Sequence, residues 1–178
     1  MNRITTLISA GFGMLLLATA PAQAATTFLT STLNGLNSVP QNASTATGTA
    51  LMSYDDVSNI FNLSINISGL NKSALTASHI HLGGSGVNGG VVYGLGTTAW
   101  NDTATGMNLI LTGGTFPGAN SLDLLAGNTY LNIHTGAFPG GEIRGQLTAV
   151  PVPAAAWLLG SGLLGLLGAA SRKKAMRA

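Results

Sequence analysis

The chain has 178 residues, no cysteine, and seven Lys and Arg against five Asp and Glu. The lack of cysteine excludes disulfide bracing, thiolate zinc sites and a cysteine nucleophile. The formal charge of +2 comes from the ends: between residues 25 and 150 only Lys72 and Arg144 stand against all five acids, so the body is mildly acidic and offers no basic patch to nucleic acid.

Met1 to Ala24 carries one early cation, Arg3, then an apolar run from Leu7 to Ala20, and closes on APAQA. Ala22 and Ala24 give the small-x-small pattern that a signal peptidase cuts. The run is shorter than the roughly 20 residues that span a bilayer. Residues 1–24 are therefore expected to be an export signal, with Ala25 as the mature start.

Residues 25–149 are expected to form one β domain. Sustained helical periodicity is missing and period-two alternation recurs. In NIFNLSINISGL, Phe61, Leu63, Ile65 and Ile67 fall on one face and Asn62, Ser64, Asn66 and Ser68 on the other. TFLTSTLNG, TGTALMSYD, TASHIHL, GVVYGL, GMNLILTG, TYLNIHT and GEIRGQLTA read as further strands between Gly, Asn, Asp, Ser and Pro clusters. Short helical turns are expected at NKSAL and NSLDLLAG, the latter closed by Gly127. The number and spacing of the strands predict an antiparallel sandwich or barrel.

Two segments repeat: IHLGGSGVNGGVVYGL and IHTGAFPGGEIRGQL share Ile-His-x-Gly, then Gly-Gly-x-(Val/Ile)-x-Gly, with His81 and His134 in matching positions. Each reads as a strand, a Gly-rich connection and a returning strand. Alternation places Ile80 and Leu82, Leu131 and Ile133, and Ile143, Gly145 and Leu147 inward. His79, His81, Tyr130, Asn132, His134, Glu142, Arg144 and Gln146 then share the outer face. If the three strands are neighbours, His79, His81 and His134 can close on copper or zinc, with Glu142 as a hydrogen-bond partner or oxygen ligand. The alternative is a set of loop-fixing side chains, with Glu142 and Arg144 as a surface ion pair.

Other chemistry is poorly supported. No serine sits in a Gly-x-Ser-x-Gly elbow, GGSGVNGG lacks the Lys and helix of a phosphate loop, and Asp55-Asp56 reads as a turn. No catalytic residue is assigned and no enzyme activity is expected; the alternative is a histidine-lined copper or zinc protein with metal-dependent redox activity.

The C-terminal segment, residues 150–178, begins Val150-Pro151-Val152-Pro153. An uncharged stretch from Ala154 to Ala170 follows, expected to be helical, and then a basic tail over 171–178 containing Arg172, Lys173, Lys174 and Arg177. Its length is at the short edge of a membrane span, and the cations would hold the cytoplasmic side.

LNGLNSVPQNASTATGTALMSYD, ISGL with LTASHIHLG, and YLNIHTGAFPGGEIRGQL resemble the CHRD domain, a module repeated in chordin and found singly in bacterial exported proteins. The resemblance runs from Thr27 to Thr148 and is most specific at His134 and Gly141 to Gly145. It implies an antiparallel Greek-key β-sandwich, immunoglobulin-like or related, and no enzyme activity. Ser38 departs from the Glu that the family more often places before Val-Pro. The tail resembles the PEP-CTERM sorting signals of Gram-negative, exopolysaccharide-producing bacteria, in the variant beginning Val-Pro-Leu-Pro-Ala, with Val152 in place of Leu. That resemblance implies an exosortase-type transpeptidase as partner, transient anchoring in the inner membrane, and delivery to the cell surface or extracellular matrix. There the module would contact polysaccharide or surface proteins. His-x-His is also similar to that of copper/zinc superoxide dismutases, but the remaining ligands and cysteines of that family are missing.

Overall fold

A computed structural model describes residues 26–151. The expected export signal with Ala22, Ala24 and Ala25, the residues Val152 and Pro153, the apolar stretch 154–170, and the basic tail with Arg172, Lys173 and Lys174 lie outside the described residues. Among the described residues no helix is long and apolar enough to cross a membrane.

The described residues form nine strands: β1 (Thr26–Asn34), β2 (Thr47–Asp55), β3 (Ile60–Ser68), β4 (Leu75–Leu82), β5 (Val91–Gly94), β6 (Trp100–Asp102), β7 (Gly106–Thr115), β8 (Thr129–Thr135) and β9 (Ile143–Ala149). Eight coincide with the strands read from alternation. On β3 the buried set is Phe61, Leu63, Ile65 and Ile67, as period two requires. Among the described residues the one α-helix, α1 (Ser121–Leu125), lies within NSLDLLAG with Gly127 following at φ 78°, and a 3-10 turn over Lys72–Ala74 lies within NKSAL. Asp55 makes the β2–β3 turn by accepting from the amides of Val57 and Ser58 at 3.0 and 2.9 Å.

Every pairing is antiparallel, and the order is β5-β4-β8-β9-β1-β2-β3-β7-β6 in one hydrogen-bonded sheet. Where the strand spacing predicts a sandwich or barrel, the structure is a single sheet curled over its own apolar face into a half-barrel. Contacts between the two arms show the curl. The Trp100 indole N–H on β6 donates to Ser78 Oγ on β4 at 3.0 Å, and Phe61 on β3 meets Tyr93 on β5 edge to face at 5.0 Å. The enclosed core is led by Trp100, Tyr54, Phe61, Phe116, Leu29, Leu33, Met52 and Ile80, all essentially buried. Both free edges, β5 and β6, are very short, which limits edge-to-edge pairing with other chains.

Gly145, in the middle of β9, is a point where neighbouring strands come close. A Cβ there would collide with Ser31 Oγ and stand 2.6 Å from Thr32 O on β1. Trp100 fills the seam between the two arms, so Trp100→Ala should cost about 3–5 kcal/mol of unfolding free energy. Exposed Leu122→Ala should change it by less than about 0.5 kcal/mol. Urea unfolding followed by circular dichroism measures both.

Candidate metal centre

β8 lies between β4 and β9, and the registers are fixed: His79 opposes Asn132, His81 opposes Tyr130, Ala77 opposes His134, and Asn132 opposes Arg144. With Ser78, Ile80, Leu131 and Ile133 buried in the core, the pleat sends the three histidines to the other face. Their ring centroids are 5.4 Å (His79–His81), 5.2 Å (His79–His134) and 5.9 Å (His81–His134) apart. One ligand nitrogen from each lies within 4.8 Å of the others. Nitrogens around a tetrahedral zinc stand about 3.3 Å apart, given bonds of about 2.05 Å. A small inward movement of the rings would therefore complete three corners.

Hydrogen bonds fix two of the tautomers. His81 Nδ1 is 2.9 Å from Gly89 O and His134 Nδ1 is 2.8 Å from Pro139 O. A carbonyl only accepts, so each Nδ1 must carry the proton and, in a neutral ring, each Nε2 keeps its lone pair. His81 Nε2 is buried without a partner, and His134 Nε2 faces His79 Nδ1 at 3.4 Å. This is the arrangement by which metal-binding imidazoles are oriented through the nitrogen that does not bind. The sequence repeat acquires a physical meaning here. In each hairpin, β4–β5 and β8–β9, the repeated histidine holds the Gly-rich connection that follows it.

The polar face is not an open surface. The connection between β4 and β5, residues 83–90, folds over it and is held by side chains of β4, β8 and β9. Arg144 donates to Gly84 O at 2.8 Å, Val87 O at 2.9 Å and Asn88 Oδ1 at 3.3 Å. Gln146 donates to Gly83 O at 2.7 Å, and Tyr130 Oη accepts from the Gly89 amide at 3.2 Å. Gly89 has no room for a side chain, because a Cβ there would run into Leu82 O. As a result Arg144 is 2% exposed and His81 9% exposed. The Tyr130 ring stacks against His81, 5.0 Å between centroids and 10° between planes, and carries the Arg144 guanidinium 3.4 Å from its centroid.

Two expectations need correction. Glu142 does not join the histidines. Its carboxylate accepts from Ser44 Oγ at 2.7 Å and from Thr135 Oγ1, a residue on the core-facing side of β8. Gly141, at φ 123°, lets the chain turn before β9 begins at Ile143, so Glu142 precedes the regular pleat. Nor do Glu142 and Arg144 form a surface ion pair: both are buried and their polar atoms are engaged with other partners. Ser38, where the family more often has Glu, is buried and donates to Glu142 O at 3.3 Å. Leu82, expected inward, is only half-buried because β4 ends there. Val150 and Pro151 follow β9 directly, the Val150 amide donating to Phe28 O at 2.8 Å.

The described residues thus define an all-β antiparallel module with a three-imidazole cluster at the edge of a Gly-rich flap that His81 holds. The CHRD domain family matches residues 29–147, about two thirds of the chain, and the protein belongs to that family. Neither a curated protein nor a solved structure matches the chain.

Desolvation lowers the pKa of His79, and the neighbouring His134 and His81 add to the effect. Desolvation is also the main cause of lowering at His81, opposed by the Gly89 carbonyl and reinforced by His134 and Arg144. Both groups thus titrate below the ordinary 6.5 in the folded protein. The unfolded chain takes up protons first as pH falls, so stability is full above about pH 6.5 and declines below it. With chelator present, the urea midpoint should drop between about pH 7 and pH 5, by less than the ~1.4 kcal/mol per pH unit of one fully coupled proton, because the rings are partly solvated. His79→Asn with His81→Asn should flatten that slope. Asp55, lowered chiefly by its hydrogen bond from the Ser58 amide, titrates below this window.

Proposed function

We propose that this protein is an exported, metal-binding CHRD module whose His79, His81 and His134 take copper or zinc. The observation that carries the reading is the buried, unpartnered Nε2 of His81, on a ring whose centroid stands 5.4 Å from that of His79 and 5.9 Å from that of His134. An unsatisfied buried polar atom costs about 1–3 kcal/mol, and a metal would remove that cost. The role assigned is binding, with no catalytic step. Copper and zinc titrations of the full-length chain in mild detergent should show binding well below millimolar, weakened at least tenfold by His81→Ala and by His134→Ala. Millimolar binding, or binding indifferent to both substitutions, would remove the reading.

The setting we propose is the cell surface or extracellular matrix, in association with exopolysaccharide, reached through signal peptidase, passage through the inner membrane and an exosortase. The support is the sequence on either side of the sheet: Ala22-x-Ala24 before it, and Val150-Pro151-Val152-Pro153, the apolar stretch and Arg172, Lys173 and Lys174 after it. A chain truncated after Ala149 should be released to the medium, whereas the full chain passes through the membrane fraction. Identical partitioning of the two would refute the sorting role.

A second reading, contact with a polysaccharide or surface protein, has its own observation. Phe28, Leu51 and Ile110 are each at least half exposed and line one shallow outer groove with Ser53, Asn62, Ser64 and Thr112. We propose in addition that the strands are connected as a Greek key. It is supported by β9 returning between β8 and β1, and by β7 returning beside β3 after the β4–β6 excursion.

A further inference from the structure

The charges around the triad select among metals. All three donors are imidazoles, neutral when they bind, and none of the five acids stands in the cluster. Glu142 is held by Ser44 and Thr135, Asp55 lies in the β2–β3 turn, and Asp102 accepts from the Lys72 amide at 2.7 Å. The ionised group next to the site is a cation. Arg144 sits against the Tyr130 ring on which His81 stacks, and its hydrogen bonds go to carbonyl and amide oxygens that carry no charge. Its positive charge is therefore not cancelled by a partner within this covered face, where the field is screened less than in water.

A metal at the triad adds its whole charge to that of Arg144. The repulsion from the guanidinium is twice as large for a divalent ion as for a monovalent one, with no anionic ligand to offset it. Ligand number points the same way. The described residues supply three nitrogens, so Zn(II) would have to take a water as its fourth ligand and Cu(II) further ligands to complete a tetragonal set, each carrying the divalent charge into the covered face.

Resting on the metal reading above, we infer that the triad is a site for monovalent copper, Cu(I), held by His79, His81 and His134 in preference to Cu(II) and Zn(II). Arg144 acts as an electrostatic positioning residue that disfavours the divalent ions without touching the metal.

The test uses the full-length chain in mild detergent, with Cu(I) measured anaerobically against a chromophoric Cu(I) chelator and Cu(II) and Zn(II) measured against competing chelators. Cu(I) should bind at least tenfold more tightly than either divalent ion. In Arg144→Gln the ratio of Cu(I) to Cu(II) affinity should fall about tenfold, a lowering of 59 mV in the one-electron potential. The ratio is the readout because a loosened flap would weaken both ions alike, and Arg144→Lys, which keeps the charge, should retain most of it. Divalent binding equal to or tighter than Cu(I), or a ratio unchanged in Arg144→Gln, overturns the inference while leaving the metal reading intact. Failure of every ion to bind below millimolar overturns both.

Discussion

The register between β4 and β8 is the constraint on which the site depends. Opposing His79 to Asn132 and His81 to Tyr130 puts Ser78, Ile80, Leu131 and Ile133 on the core side and brings His134 diagonally to His79. A slip of one residue on β4 would place both of its histidines in the apolar interior and leave Ile80 under the polar flap. The packing of Ile80 and the indole bond from Trp100 to Ser78 therefore determine where the imidazoles stand. The core and the polar cluster are opposite sides of the same pleat.

The flap adds a second level of order. Residues 83–90 expose a row of carbonyls that would otherwise need water, and Arg144, Gln146 and His81 supply donors to them. Arg144 is suited to this because its planar fork reaches several oxygens while its flat face lies on Tyr130. Burial on this face desolvates His79 and His81 and lowers their basicity. The covered face thus holds a buried cation without a carboxylate partner beside the imidazole cluster.

Much of this was legible in the residues, because period-two alternation depends on local spacing alone. Phe61, Leu63, Ile65 and Ile67 could be assigned to the core from the sequence, and so could the sharing of one face by His79, His81 and His134. β6 was missed because Trp100–Asp102 is too short to show a period, although Trp100 is the largest fully buried side chain. Glu142 was misplaced because alternation was carried one residue beyond the start of β9, across Gly141. The flap was invisible for another reason: a Gly-rich connection signals conformational freedom without saying where the chain will fold back. Tyr130 and Asn88 carried only the weak signal of polar residues near the repeat. The single curled sheet, in place of two layers, follows from strand order, which periodicity does not encode.

β1 and β9 are neighbours in the middle of the sheet, and Leu29 opposes Ala149, so the described chain enters and leaves at the same pole. The connections 35–46 and 136–142 stand at the other pole, where Val39 to Asn42 and Ala137 to Gly141 border a shallow groove. Any load applied beyond Pro151 would be drawn along a strand laced on both flanks, so that two ladders must shear together before the fold gives way. For a domain without a disulfide, leaving the sheet from its middle is a mechanical safeguard, and it sets the distal groove at the pole opposite the chain's exit.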